Sequence, residues 1–198
     1  MSELYKNKYR SDTARAKWWD YSSAAGYFIT ICTQNRECYF GDVIYGKMVL
    51  SEIGEIAQLE WLKTFEMRPD MNLEMGEFVV MPNHFHAIII IGKNEFNSDR
   101  GDGGGGVGRD AMHCVPTNAP ANAPTKNEFG PQSKNLASIV RGFKIGVTKN
   151  ARLIHADFAW QSRFYDVIIR DADSYERISE YIINNPEKWF YDKLYNGK

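Results

Sequence analysis

Two histidines, His84 and His86, flank a single phenylalanine in the segment MPNHFHAIIII. Side chains two residues apart on a β-strand point to the same face, so both imidazoles would leave such a strand side by side. Neighbouring imidazoles at that spacing can hold one divalent cation. The alternative is a pair of structural histidines packed near a turn, and the spacing alone leaves both interpretations open.

Tyr181 and Asn185 form a second candidate pair. They are four residues apart in a segment whose pattern predicts a helix, so they share one helical face. If that face packs on the strand that carries His84 and His86, Asn185 can offer the cation an oxygen ligand and Tyr181 lies beside it. The alternative is that Tyr181 packs in the core and Asn185 ends the helix, in a chain that contains 11 tyrosines.

The strands that would position the histidines can be predicted from apolar periodicity. Residues 26–34 alternate and are rich in β-branched and aromatic side chains, which is typical of a strand. Residues 76–91 predict two strands joined by a tight turn at Pro82-Asn83, because proline is excluded from the interior of a central strand. Both faces of the second strand are apolar, which predicts a central strand covered on both sides.

Three helices complete the predicted architecture. Residues 39–50 predict a loop with a short strand, and residues 51–65 a helix with a serine cap. Residues 133–153 carry an apolar stripe at helical spacing. A strand near residues 164–170 precedes a last helix that begins near Asp173, with a D-x-x-E capping signal. This order of elements predicts an α+β fold, an antiparallel sheet with helices packed on it.

The whole chain, residues 1–198, is predicted to be one domain with a flexible insertion at about residues 94–132. A glycine-rich run, RGDGGGGVGR, and an Ala/Pro repeat, NAPANAPT, mark the insertion. A zinc ion would require a third nitrogen or sulfur ligand. His113 and Cys114 could supply one, but their position in the insertion argues against it.

The composition limits the cellular context. The three cysteines lack a CxxC spacing, so a disulfide framework is not expected and a reducing cytoplasm is the default. Residues 1–17 lack the apolar core of a signal peptide. The longest apolar run, around residues 87–91, is too short to span a bilayer, so we expect no membrane partner.

The net charge of −1 does not decide for or against a nucleic-acid partner, but the distribution of charge is informative. Lysines and arginines concentrate in residues 1–17 and 133–152, and such local patches are what a phosphate backbone binds. In the second patch, basic side chains are expected to point away from the apolar stripe, towards solvent or a partner. The alternative is a simply solvated helix face. The candidates for phosphate contacts are Arg141, Lys144, Lys149 and Arg152.

Four segments follow one another between residues 26 and 189: GYFITICTQNRECYFG, MPNHFHAIIII, WQSRFYDVIIRD and YIINNP. Together they resemble the REP-associated tyrosine transposases of the HUH superfamily of single-strand endonucleases, in which U is a bulky apolar residue. Here that residue is Phe85. The sequence departs from the family pattern at Ser162, where an arginine is expected.

The resemblance implies a ferredoxin- or RRM-like α+β fold and a divalent metal, Mg²⁺ or Mn²⁺. It implies that His84 and His86 are metal ligands, that Asn185 is the third ligand, and that Tyr181 is the nucleophile. The substrate would be single-stranded DNA with a hairpin from palindromic repeats, nicked and rejoined through a covalent 5′-phosphotyrosine in DNA transposition. The sequence does not name the general base, and it leaves monomer and homodimer open.

Three other function classes stay open. Replication initiators and relaxases use the same chemistry, but they usually carry a large extra domain that 198 residues cannot hold. A non-catalytic nucleic-acid-binding module suits a similar sheet, but the RNP aromatic motif is absent and such a module needs no HxH pair. A small metallohydrolase would use the histidines on another substrate. A covalent adduct with single-stranded DNA separates the tyrosine chemistry from the last two classes.

Overall fold

The computed structural model of the protein describes residues 4–5, 8–9, 19–98, 133–195 and 197. Most of the N-terminal basic segment and residues 99–132 of the predicted insertion lie outside the described residues. The expectation for His113 and Cys114 therefore stays a prediction.

Eight strands and three α-helices make up the described part of the chain. The strands are β1 Leu4–Tyr5, β2 Lys8–Tyr9, β3 Ala25–Cys32, β4 Gly41–Ile44, β5 Lys47–Leu50, β6 Leu73–Met81, β7 His84–Ile91 and β8 Tyr165–Ile169. The helices are α1 Glu52–Glu66, α2 Leu136–Ala151 and α3 Ala172–Ile183. Strands β1 and β2 pair with each other, as do β4 and β5. The other four form one antiparallel sheet in the order β6-β7-β3-β8, which confirms the predicted α+β class.

Strand β7 is central, as its two apolar faces predict. It pairs with β6 on one side and with β3 on the other, and it is buried along its whole length. Pro82 and Asn83 form the tight connection from β6, again as predicted.

The two faces of this sheet are covered by different helices. On one face, Phe85 packs with Trp61 of α1 and Phe143 of α2, at ring-centroid distances of 5.1 and 5.0 Å. On the other face, Ile88 packs in a smaller buried cluster with Ile182 of α3. Alternation along β7 places His84 and His86 on the α3 face, together with Ile88.

The prediction of a loop with a short strand at residues 39–50 was wrong. Residues 41–50 form the hairpin β4–β5. Tyr45 and Gly46 make its turn at φ values of 50° and 72°, which suit a two-residue hairpin connection. Helix α3 begins at Ala172, which confirms the predicted start near Asp173, but its cap is Asp171, whose carboxylate accepts a 2.7 Å hydrogen bond from the Ser174 N–H.

Both ends of the undescribed stretch 99–132 are fixed to one short segment. Before it, Asn97 Nδ2 donates to the Ser22 carbonyl at 3.1 Å. After it, the Leu136 N–H donates to the Tyr21 carbonyl at 3.0 Å where α2 begins. This segment leads into β3 at the end of the sheet where Ala25 pairs with Ile91, remote from His84.

No helix within the described ranges is both long enough and apolar enough to cross a membrane.

Candidate metal and nucleophile site

The two histidines lie side by side, as their spacing predicts. In the antiparallel register His86 lies opposite Thr30 of β3, and His84 lies opposite Cys32. His84 is fully buried, His86 is 2% exposed, and their ring centroids are 4.5 Å apart. Because strands flank β7 on both sides, the backbone holds this pair rigidly.

The hydrogen bonds of Asn83 fix the tautomer of His84. Asn83 Nδ2 donates to the Leu194 carbonyl at 2.9 Å, so its Oδ1 is the atom that lies 2.8 Å from His84 Nδ1. An amide oxygen can only accept, and the proton of His84 therefore sits on Nδ1. This leaves a lone pair on Nε2, which is the form that a metal ligand needs.

His86 connects the sheet to α3. Its Nδ1 lies 2.8 Å from Thr30 Oγ1, and its Nε2 lies 3.2 Å from the hydroxyl of Tyr181. Burial lowers the pKa of His86 to about 4 and lowers the pKa of His84 well below its usual value, with the neighbouring His86 adding to the effect. Both imidazoles are thus neutral at neutral pH, as metal ligation requires.

Tyr181 and Asn185 meet the histidine pair, as expected for one helical face packed on β7. Tyr181 stands edge-on to Phe28 and to His86, at centroid distances of 6.1 and 5.2 Å, and remains 44% exposed. Asn185, just beyond the end of α3, is buried. Its side chain is close enough to His84 to act on the pKa of that imidazole.

A glycine, Gly76 of β6, allows close packing within the sheet beneath α3. A Cβ at Gly76 of β6 would lie 2.8 Å from Ile88 Cβ and 3.2 Å from the Tyr175 hydroxyl. Carbon atoms do not approach each other that closely without a shift of the backbone. The missing side chain at Gly76 therefore lets β6 lie close to Ile88 of β7 and leaves room for the Tyr175 hydroxyl of α3.

Asp192 is a site residue that the sequence analysis missed. Its carboxylate oxygen and a ring nitrogen from each of His84 and His86 all lie within 4.8 Å of one another. Its Oδ2 accepts from the Tyr181 hydroxyl at 3.3 Å and from Asn185 Nδ2 at 3.1 Å. Asp192 follows the short 3-10 turn Trp189–Tyr191, where no local spacing marks it as functional.

Two buried polar atoms indicate that a cation fits this site. His84 Nε2 and Asn185 Oδ1 are buried, and neither has a hydrogen-bond partner among the described residues. Leaving such atoms unpaired is costly, and both are of types that bind divalent metals. With His86 and Asp192 they make a donor set of two nitrogens and two oxygens, which fits a divalent cation.

The groups around Tyr181 keep its hydroxyl protonated. Burial, followed by the negative charge of Asp192, raises the pKa of Tyr181 to about 12. At neutral pH this phenol needs a nearby positive charge or a proton acceptor before it can act as a nucleophile.

The site opens into a cleft of about 1060 Å³, which we call the site cleft. His86, Tyr181 and Asn185 lie at its wall. Four cationic and two acidic side chains also line it: Arg36, Arg163, Lys188, Lys193, Asp166 and Asp192. The cleft is large enough for a small segment of an anionic polymer, and its charge excess has the matching sign.

The four predicted phosphate-binding residues share a second groove, of about 590 Å³, along α2. Three of them, Arg141, Lys149 and Arg152, are exposed, although Arg152 Nε also donates to the Phe158 carbonyl at 3.0 Å. Phe164 lines both this groove and the site cleft, so the two meet there.

Lys144 differs from the expectation that it points towards solvent or a partner. Its ammonium donates to the carbonyls of Gln161 and Arg163, at 2.7 and 3.1 Å. Burial lowers its pKa to about 8. Lys144 therefore ties α2 to the segment before β8, a structural role that the helix pattern did not indicate.

A comparison with curated proteins finds a relative in Haemophilus influenzae that is called an uncharacterized protein. It is 38% identical to this chain over 184 residues, which cover 91% of each protein. No protein-family model matches the chain.

A comparison with solved structures finds a REP-associated tyrosine transposase bound to a REP hairpin. The match covers 93% of this chain and 77% of that one, at 19% identity and a TM-score of 0.56. A transposase-like protein of Deinococcus radiodurans R1 matches at 12% identity over 88% and 96% of the two chains, with a TM-score of 0.39. The first match shows that this chain has the fold of that transposase, as the resemblance of its motifs predicted.

Proposed function

The chain belongs to the same family as the uncharacterized Haemophilus influenzae protein, and we propose that it is a transposase-type endonuclease of single-stranded DNA. In this proposal Tyr181 is the nucleophile and a divalent metal, Mg²⁺ or Mn²⁺, assists it. The enzyme nicks and rejoins DNA through a covalent 5′-phosphotyrosine.

One observation carries the proposal. The Tyr181 hydroxyl lies 3.2 Å from His86 Nε2, directly beside two buried metal-binding atoms that lack partners, His84 Nε2 and Asn185 Oδ1. A phenol that only packed in the core would not need an imidazole pair, an amide and a carboxylate gathered at its oxygen.

A cation held by His84, His86 and Asn185, with Asp192 within reach, would polarise a scissile phosphate and offset its negative charge. The Tyr181 oxygen attacks phosphorus, so a bond from that oxygen to phosphorus forms while the bond from phosphorus to the 3′ oxygen breaks. The leaving 3′ oxygen takes a proton and becomes a hydroxyl. The phosphodiester count is unchanged, so the reverse attack can rejoin the strand without ATP.

Asp192 is the candidate acceptor for the Tyr181 proton. The hydroxyl has two acceptors at hand, His86 Nε2 at 3.2 Å and Asp192 Oδ2 at 3.3 Å. A nitrogen lone pair that binds a metal cannot also take the proton, whereas a carboxylate near the metal keeps further lone pairs that can. The Leu194 N–H donates to the other oxygen of Asp192 at 2.6 Å and thereby orients it.

For the DNA, we propose that Arg141, Lys149 and Arg152 contact phosphates in the groove along α2. The hairpin of a substrate would lie there, and its single-stranded flank would pass Phe164 into the site cleft. In this proposal the histidines, tyrosine and asparagine of one chain form one complete site, and both a monomer and a homodimer are compatible with it.

The test is an oligonucleotide with a hairpin and a single-stranded flank, incubated with the protein and Mn²⁺. A 3′ label should move to a protein–DNA adduct that survives denaturant, because 5′-phosphate attachment keeps the downstream fragment on the enzyme. A 5′ label should leave as a short fragment with a 3′ hydroxyl. An adduct that carries the 5′ label would contradict the proposed polarity.

Two variants assign the nucleophile. Tyr181→Phe removes one oxygen atom and should abolish the adduct. Tyr175→Phe, on the same helix and against Gly76, should leave it unchanged and serves as the control. An adduct that persists in Tyr181→Phe would disprove this assignment and direct attention to another tyrosine.

The same assay separates the rival functions. A non-catalytic nucleic-acid-binding module, or a metallohydrolase with another substrate, forms no adduct. A replication initiator or relaxase also forms an adduct, so the assay separates the tyrosine chemistry from the other two classes only.

A further inference from the structure

Two exposed tyrosines, Tyr165 and Tyr191, border the site cleft without taking part in either buried core cluster. The Tyr165 side chain is 58% exposed, and that of Tyr191 is 91% exposed. Because little of either residue is covered by the protein, both rings can contact a ligand that enters the cleft.

The sheet register places Tyr165 in line with the site. Thr30 pairs with His86 on one side and with Tyr165 on the other, so these three side chains form one row across the α3 face. Two strand spacings separate the ends of the row, and Tyr165 therefore stands roughly 10 Å from His86.

Tyr191 approaches the cleft from a different element. It precedes Asp192 directly, at the end of the 3-10 turn Trp189–Tyr191. The Asp192 carboxylate is held by Tyr181 and Asn185, so the position of its neighbour is fixed relative to the nucleophile. The cleft thus has one ring on its sheet side and one on its C-terminal side.

Cations accompany both rings. Arg163 lies two residues before Tyr165, and Lys188 and Lys193 lie within three residues of Tyr191. Aromatic rings interleaved with cations are typical of sites for unpaired nucleic acid, because rings stack on bases while cations neutralise phosphates. A duplex keeps its bases stacked inside and offers rings no such contact.

Resting on the function proposed above, we propose that Tyr165 and Tyr191 bracket the scissile phosphate by stacking on unpaired bases of the single-stranded flank. The two rings hold the strand extended across the cleft, with the phosphate between them presented to Tyr181. They make the cleft selective for single strands without selecting a base, since every base offers a π-face.

The test measures binding in a Tyr181→Phe background, where no covalent capture occurs. The probe is a hairpin oligonucleotide whose single-stranded flank carries 2-aminopurine, a base whose fluorescence falls when it stacks. Tyr165→Leu and Tyr191→Leu should each weaken binding about tenfold. In each variant the fall in 2-aminopurine fluorescence on binding should be lost. Tyr165→Phe and Tyr191→Phe keep the ring and should behave like the parent.

Tyr45→Leu is the matched control, because Tyr45 is fully exposed at the tip of the β4–β5 hairpin, outside the cleft. It should change neither affinity nor fluorescence. Leucine variants that bind within twofold of the parent, or that weaken a fully duplex probe equally, would overturn the stacking proposal. That result would leave the adduct assay intact, whereas a normal stacking signal without any adduct from the unsubstituted protein would overturn the proposed function alone.

Discussion

The two faces of the central sheet are formed by the same strands but differ in their packing and in the polarity of their buried side chains. The face under α1 and α2 is an apolar core in which Trp61, Phe85 and Phe143 meet at centroid distances of 5.0 to 5.4 Å. The face under α3 is apolar at one end, around Ile88, but at the other end it carries buried imidazoles and opens into a cleft. Alternate residues of β7 therefore face the apolar core on one side and the proposed metal site on the other.

The buried polar atoms that lack hydrogen-bond partners differ in kind between the two faces. On the packed face such an atom is the Trp61 indole nitrogen, a hydrogen-bond donor that cannot bind a metal. On the α3 face, two metal-binding atoms are buried without hydrogen-bond partners among the described residues. A fold bears such a cost when a ligand relieves it, and the densely packed opposite face supplies the stability that permits it.

The largest effect is expected on the packed face. Phe85→Ala removes the ring that contacts both helices and should lower the free energy of unfolding by about 3–5 kcal/mol in urea titrations. The stabilisation gained on adding Mn²⁺ should stay the same, since Phe85 points away from the histidines. Loss of that increment would show that the two faces are not separable.

The next effect comes from the metal itself. Mn²⁺ at a hundredfold excess over its dissociation constant should stabilise the protein by about 2.7 kcal/mol, and a chelator should remove this gain. His84→Ala should abolish the increment, measured as the shift of the thermal midpoint. His155→Ala, an exposed histidine elsewhere, should retain it. An equal shift in both variants would place the cation outside the proposed site.

A smaller effect on stability is expected from a substitution where α3 packs on the sheet. Gly76→Ala puts a Cβ within 2.8 Å of Ile88 Cβ, so we expect a loss of about 1–3 kcal/mol and weaker Mn²⁺ binding as Asn185 is displaced. Gly26→Ala is the control, because its Cβ would meet Ile169 Cβ at 3.4 Å, an ordinary contact. Unchanged Mn²⁺ affinity in Gly76→Ala would separate the docking of α3 from the metal site.

The smallest effect on stability is expected in the groove along α2. Joint replacement of Arg141 and Lys149 by alanine should change unfolding by less than about 0.5 kcal/mol, because both side chains are exposed. DNA affinity should fall, and its dependence on salt should flatten by about one unit of slope per lost phosphate contact. Lys47→Ala with Lys93→Ala removes equal charge elsewhere. The same loss in both double variants would exclude a specific α2 contact.

The parts of the site that could be predicted are those governed by local periodicity. The i, i+2 spacing of His84 and His86 and the i, i+4 spacing of Tyr181 and Asn185 fix which side chains share a face, whatever the rest of the chain does. Alternating apolar residues also identified β7 as a central strand. The motif resemblance then indicated that the two faces meet.

The parts that could not be predicted depend on long-range contacts. Asp192 lies in the site because hydrogen bonds hold the C-terminal segment 184–195 against distant elements. Asn83 donates to the Leu194 carbonyl, and Arg36 donates to the Lys193 carbonyl. Lys144 looks like an outward-facing helix residue until its partner carbonyls, 17 and 19 residues away, are known. In the β4–β5 turn Tyr45 has a positive φ, a conformation that is rare for tyrosine and is therefore not predicted from the residue type.

The anchoring of the chain on both sides of residues 99–132 has a practical consequence. Asn97 and Leu136 both bond to the Tyr21–Ser22 segment, at the end of the sheet where Ile91 lies. Ile91 is seven positions after His84 on β7, which corresponds to a distance of roughly 23 Å between the two residues. Insertions between Asn97 and Leu136 would therefore join the described part of the chain at the end of the sheet that is remote from the histidine pair.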